Sequence, residues 1–270
     1  MRPEIYVERP IDRELLSALL AGEPCSVLGP PRMGYSCLAR RTLAALHAEG
    51  RLALRADLAS IGASPGSFIA GREEEQLFWG VLSDCFWDEP LSSAFEAEWM
   101  ALHTPPAERF HTLLAAIAPV VVMVDSGDML RDLDALGGLG TRFHQAMQAP
   151  PPGVTFCLFA GNTSTAQPLA SDPLRLGRVF TPADFTAEEA AALLPALQGL
   201  GRPGYPPTAL LAEVLSWTSG DPYQTEALLF FLKHPPPDQV YEPNRLVATV
   251  VADRLDSLHR PYFTAWRQKQ

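Results

Sequence analysis

Ser26-Val27-Leu28-Gly29-Pro30-Pro31-Arg32-Met33-Gly34-Tyr35-Ser36-Cys37-Leu38 is the stretch that decides the fold. An apolar run enters a Gly-Pro-Pro turn, a second glycine follows, and a helix-forming segment begins. This is the layout of a phosphate-binding P-loop, G-x-x-x-x-G-K-[ST], with both glycines and the serine in register. Such a loop works because successive backbone N–H groups and the dipole of the following helix form a concave anion site. Gly29 and Gly34 let the backbone approach, and the Ser36 hydroxyl is placed to ligate Mg2+. One position departs. Tyr35 stands where the motif has the lysine that reaches the β- and γ-phosphates. Of the 21 basic residues only Lys233 and Lys269 are lysines, so none in the first 230 residues can replace it. The competing reading of this stretch is a plain Gly-Pro turn between a strand and a helix.

A second segment supports the P-loop reading. Val120-Val121-Val122-Met123-Val124 is a continuous apolar run of the kind found in strands covered on both faces, as in a parallel sheet. It ends in Asp125, which such a sheet places at the strand's carboxyl end beside the loop, within reach of a metal. A glutamate at the next position commonly orients the attacking water in hydrolytic proteins of this type. Here Ser126 and Gly127 follow, and Asp128 comes two positions late. An aspartate at a strand end also has a purely structural reading.

The remaining pattern fits the same architecture. Strands are expected at Cys25 to Leu28, Leu52 to Leu58, Val154 to Ala160 and, edge-like, Arg178 to Thr181. Helices are expected over residues 11–21, 36–49, 73–87, 106–117 and 139–148. Strands alternating with helices at this spacing predict a parallel α/β sheet with right-handed crossovers. After Asp184 the texture becomes helical. Thr186-Ala187-Glu188-Glu189 is a capping-box start, and helices are expected at about 187–197, 208–218, 222–233 and 244–258, separated by proline-rich joints. The expected organisation is a P-loop core over residues 1–183 followed by a small helical lid over 184–270.

Composition narrows the partners. The net charge of −10 argues against an unaided phosphate-backbone footprint, and so against direct nucleic-acid binding. The four cysteines (Cys25, Cys37, Cys85, Cys157) lie singly, without C-x-x-C spacing, and read as reduced, partly buried thiols. No apolar leader opens the sequence, and the run Leu113 to Val124 is too short to span a membrane and contains Pro119. The expectation is a cytoplasmic protein with no membrane contact.

Several segments together resemble bacterial AAA-like P-loop ATPase domains, related to the signal-transduction ATPases with numerous domains. Tyr6-Val7-Glu8-Arg9-Pro10, with Asp12 to Leu16, resembles the family's lead-in. Gly29, Pro30, Met33, Gly34 and Ser36 match its G-P-x-x-M-G-K-S loop, and Val124, Asp125 and Asp128 its V-D-E-[IL]-D segment, with the glutamate missing. Gly177-Arg178 with Asp184-Phe185-Thr186-x-Glu188-Glu189-Ala190, and Trp217-Thr218-x-Gly220-x-Pro222-Tyr223-x-Thr225, resemble two further segments. The resemblance covers residues 5 to 230. It implies that Tyr6, Val7 and Arg9 flank an adenine and that Gly220-Asp221-Pro222 belongs to a nucleotide-sensing lid motif. It also implies a polar sensor at Asn162 or Thr163 and a phosphate-contacting role for Arg178. A turn at Asn162-Thr163 and a salt bridge at Arg178 are the structural alternatives. The implied nucleotide site therefore comprises Arg9, Gly29, Pro30, Arg32, Met33, Gly34, Tyr35, Ser36, Cys37, Asp125, Asn162, Arg178 and Pro222.

The two departures fall on the residues that carry the phosphate chemistry. A lost charge-assisted contact weakens binding by about 1.5–3 kcal/mol. Tyr35 is neutral and bulky, and its ring can fill the phosphate space rather than serve it. Together the changes point to a pseudo-ATPase: a regulatory or scaffolding protein-interaction module of a signalling or defence-type complex, with no catalytic residue and no cofactor. Its partners would be proteins, in homo- or hetero-oligomers. The alternative is a nucleotide-gated switch that binds ATP or ADP, with Mg2+ on Ser36 and Asp125, without efficient turnover. An active ATPase helped by Arg32 or a partner's residue is the third class. Trp217, Phe230, Phe231, Tyr262, Phe263 and Trp266 are candidates for an interface or for core.

Overall fold

A computed structural model describes residues 6–86, 91–161, 174–198 and 206–233. Five strands form one all-parallel sheet: β1 (Cys25–Leu28), β2 (Leu52–Asp57), β3 (Val120–Asp125), β4 (Val154–Ala160) and β5 (Arg178–Phe180), in the order β2-β3-β4-β1-β5. Every residue of β1, β3 and β4 is buried. That is why these strands read as unbroken apolar runs: each face of the sheet is covered by helices. The three-residue β5 takes the edge, with its first residue exposed.

The side chains divide between two apolar clusters by the two-residue period of the strands. One face carries Leu54, Val122, Phe156 and Leu158 together with Phe78, Phe110 and Phe143 from helices α3 (Glu73–Cys85), α5 (Pro106–Ala116) and α7 (Leu139–Gln148). The other carries Val27, Ala53, Met123, Cys157 and Phe159 with α1 (Pro10–Leu20) and α2 (Tyr35–Ala48). Two further helices of this unit, α4 (Leu91–Ala101) and α6 (Met129–Leu133), lie in segments for which the sequence pattern gave no element.

The chain divides into two compact units, one spanning Pro10–Pro182 and the other joining residues up to Arg9 to those from Ala183 onward. The lead-in Tyr6 to Arg9 thus belongs with the helical unit rather than with the residues 10–182 to which it is adjacent in sequence. The first helix of this unit is capped by Thr186, which closes the capping box read from its sequence. Glu189 N donates to Thr186 Oγ1 (3.2 Å) and Thr186 N donates to Glu189 Oε2 (2.8 Å). The single helix expected over 187–197 is instead an α-turn, α8 (Ala187–Ala190), that tightens into 3-10 geometry over Ala191–Leu197, where Pro195 removes a backbone donor. Helices α9 (Pro207–Thr218) and α10 (Pro222–Lys233) complete the described part. Val7, Phe185, Leu193, Leu210, Val214 and Leu228 form its core, with Trp217 packed against it and Phe230 57% exposed. The helix expected at 244–258, and Tyr262, Phe263 and Trp266, lie outside the described residues, as does the side chain of Phe231. Among the described residues no helix is long and apolar enough to cross a membrane.

Candidate functional site

The strand order fixes where a ligand would be expected. From β1 the chain crosses over β4 and β3 to reach β2, whereas from β4 it passes β1 to reach β5. The connections leaving the adjacent carboxyl ends of β1 and β4 therefore diverge, which makes that pair the topological switch point of the sheet. Gly29 to Gly34 lies there, between the end of β1 and the start of α2. Gly29 is buried, Pro30, Pro31 and Arg32 are exposed, and Met33 returns to the core. Gly34 caps α2 with φ +82°, a left-handed conformation that glycine adopts without steric cost. Arg32 also lies in the left-handed region, at φ +68°. The backbone frame of a P-loop is present.

Its interior is occupied by the protein itself. Tyr35 is only 8% exposed, and its hydroxyl donates to the Pro30 carbonyl at 2.9 Å. A Cβ placed on Gly29 would lie 2.8 Å from that hydroxyl, and one on Gly161, just past β4, would lie 3.1 Å from ring atoms Cδ2 and Cε2. The ring is thus held between the loop and the end of β4, the space a motif lysine and its phosphates would share. Ser36 is exposed on the first turn of α2, and Cys37 is partly buried, with its sulfur 3.4 Å from Arg40 Nη2.

Asp125 ends β3 as the apolar run implied, and its side chain is 4% exposed. Its carboxylate is already engaged. Arg55 Nη2 donates to Oδ2 at 2.6 Å, and the Ser126 N–H donates to Oδ1 at 2.9 Å. Where a water-orienting glutamate would stand, Ser126 adopts φ +58° and its hydroxyl donates to Asp57 Oδ1 at 2.7 Å, toward β2. Gly127 donates its N–H to the Phe159 carbonyl at 2.7 Å, and a Cβ there would meet Leu158 Cδ1 at 2.5 Å. The corner therefore has no carboxylate at position 126; the second carboxylate near Asp125 is Asp57, in register with it on β2. Asp84 from α3 finishes it by accepting from the Asp57 N–H at 2.6 Å and from Ser60 Oγ at 2.9 Å.

Of the other sequence-derived candidates, Arg178 lies in the same unit as this loop but away from it, and Arg9 and Pro222 belong to the helical unit. Arg178 opens β5, pairing in register with Cys25 at the start of β1, so it sits at the amino ends of the strands while the loop follows their carboxyl ends. It is half-exposed, with Glu23 at 3.7 Å, Glu14 at 4.0 Å and the Phe180 ring 4.7 Å from its guanidinium carbon. Arg9 is buried in the helical unit, where Nη1 donates to the Ala183 carbonyl at 3.3 Å and the guanidinium lies 5.7 Å from the Phe185 ring. Pro222 begins α10 just after a turn in which Gly220 (φ +81°) accepts from the Phe185 N–H at 2.8 Å. Asn162 and Thr163 lie outside the described residues.

Arg55 and Asp57 were not among the sequence candidates. The signal was present: Ala53 is buried, and the period of two puts Arg55 and Asp57 on the same, core-side face. Beneath them, Cys25 and Cys157 sit in register on β1 and β4. Burial pushes the Cys25 thiol up to about 12, with Glu23 adding to the shift, and burial drives Cys157 well above its ordinary value, with Cys25 and Asp125 contributing. Both are neutral thiols at neutral pH.

These donors do not fit a magnesium nucleotide. Tyr35, at the motif's lysine position, packs its ring between the loop and the end of β4, and Asp125, the expected metal ligand, is ion-paired with Arg55.

No family model matches the chain. An alignment 239 residues long, covering 82% of this chain, is 24% identical to an uncharacterized WD repeat-containing protein of Synechocystis sp., of which it covers 19%. The chain therefore spans about a fifth of that relative's length. Among solved structures it is similar to the Aeropyrum pernix ORC1 protein determined in complex with DNA, with a TM-score of 0.54 and 13% identity over 97% of this chain and 71% of that one. At that identity the likeness speaks for fold alone. The fold is a parallel-sheet P-loop core of AAA-like type followed by a small helical subdomain.

Proposed function

We propose that this chain is a pseudo-ATPase: an AAA-like module that has kept the fold as a regulatory or scaffolding surface for protein partners and neither hydrolyses nor productively binds nucleotide. The observation that carries this reading is the Tyr35 ring, seated in the loop with its hydroxyl satisfied by the Pro30 carbonyl. The paired Asp125 and the absence of a carboxylate at Ser126 point the same way. The alignment to a small fraction of a WD repeat-containing protein favours a module working beside other domains. A net charge of −10 favours protein over DNA as the partner, although the structural neighbour was determined with DNA.

The test is isothermal titration with ATP and Mg2+. The wild type is expected to give no saturable heat, and Tyr35→Lys, which restores the phosphate-reaching cation, is the variant expected to gain binding. Saturable binding by the wild type that Gly34→Asp abolishes would overturn the proposal. The second reading is a nucleotide-gated switch, favoured by the intact left-handed Gly34 and the exposed Ser36 at the start of α2. It requires the Tyr35 ring to leave its site. An ATPase assisted by Arg32 or a residue in trans requires the same, and additionally the release of Asp125.

A further inference from the structure

We infer that Arg55 is a built-in cation standing in for a divalent metal at Asp125, and that it makes the carboxyl end of β3 indifferent to such metals. The inference rests on the pseudo-ATPase reading and extends it to a second element of the site. Three observations carry it. First, both oxygens of the buried Asp125 carboxylate are engaged, by Arg55 Nη2 at 2.6 Å and by the Ser126 N–H at 2.9 Å. Second, the same Arg55 nitrogen lies 3.5 Å from Oδ2 of Asp57, two residues on in its own strand and in register with Asp125 on β3, so one guanidinium serves two carboxylates that would otherwise face each other. Third, the remaining Asp57 oxygen accepts from Ser126 Oγ at 2.7 Å and from the Ala59 N–H at 3.0 Å, which fixes the second carboxylate from its far side.

Two carboxylates on adjacent strands are a natural oxygen-donor set for a hard divalent cation. With the guanidinium between them, an approaching cation meets a like charge and no free carboxylate oxygen on Asp125. The choice of residue matters. A lysine or histidine can shed its proton and open such a place, whereas arginine stays charged at every pH a protein tolerates. The exclusion is therefore permanent rather than switchable.

The experiment is thermal unfolding of wild type, Arg55→Met and Arg55→Met/Asp125→Asn in MgCl2 or MnCl2, against NaCl of matched ionic strength. Wild type is expected to show no saturable shift. Arg55→Met should melt lower in NaCl and rise saturably with Mn2+, by roughly 5 °C or more at on the order of a hundredfold above the dissociation constant. The double variant should lose that response. An Arg55→Met protein that ignores both cations, or a wild type that shifts as much as the variant, would overturn the inference. If Arg55→Met does not express in soluble form, its refolding yield with and without Mn2+ replaces the melting curve. A higher yield with the cation supports the inference, and equal yields, including none in either condition, overturn it. Saturable ATP binding by the wild type would sink the pseudo-ATPase reading instead, whatever Arg55→Met does.

Discussion

Removing the Tyr35 ring tests whether it is a packed part of the fold or a side chain resting over a usable site. The ring is 92% withdrawn from solvent, bounded by Gly29 and Gly161, and belongs to the cluster built from α1, α2 and the sheet. Truncating a buried aromatic to alanine destabilises by about 3–5 kcal/mol, through lost transfer free energy and the cavity left behind. Tyr35→Phe keeps the ring and loses only the hydroxyl. Its acceptor belongs to the exposed Pro30, where water can take over, so the loss is about 0.5–1 kcal/mol. The pair of variants therefore separates packing from hydrogen bonding. In urea unfolding followed by tryptophan fluorescence, Tyr35→Ala should fall several-fold further than Tyr35→Phe, which corresponds to a melting shift on the order of 10 °C. A Tyr35→Ala protein within about 0.5 kcal/mol of wild type, as for an exposed site, would refute the placement of the ring.

Two other outcomes are expected. Gly220→Ala should destabilise the helical unit, because φ is +81° and the new Cβ would approach the Phe185 carbonyl oxygen to 2.2 Å. A drop of more than about 1 kcal/mol in stability, with α10 amides losing hydrogen-exchange protection, would confirm it, and an unchanged variant would contradict it. Alkaline pH should unfold the core through its buried thiols. The Cys25 pKa is raised from 9.0 to about 12, so the unfolded chain loses its proton first and stability falls as pH rises through that window. The slope is about 1.4 kcal/mol per pH unit. Cys25→Ala should flatten the dependence, and an identical slope in the variant would show that the thiol is not the cause.

The parts of this fold legible in sequence are those encoded locally. Runs such as Val120 to Val124 announce buried strands, Thr186 and Glu189 write their capping box three residues apart, and Asp125 is found by where its strand stops. What escaped is set by register and direction. The partner of Asp125 is Arg55, about 70 residues away on another strand, and only the face-by-face reading of Leu52 to Asp57 would have exposed a charge pointing inward. Arg178 is expected to contact phosphate only because Gly177-Arg178 resembles the family's G-R segment. A parallel strand, however, begins at the end of the sheet opposite to where the loop lies, and Arg178 is the first residue of its strand. The short helix α6 is bounded by Gly127 and the Gly137-Gly138 pair, too brief for a periodic signal.

The sheet order also has a consequence for how the protein is made. Both hydrogen-bonded neighbours of the strand leading into the loop, starting at Val154 and Arg178, are translated more than 120 residues after it. At about 5–20 residues per second, the nascent chain carries this unpaired apolar strand for on the order of ten seconds. During that interval Ser26, which later bonds the Leu176 carbonyl at 3.0 Å, and Tyr35, which needs Gly161 beside its ring, have nothing to close against. The loop can acquire its final form only when the last strands arrive, so a ribosome stalled before residue 160 would display the nascent chain with its central strand open to chaperones.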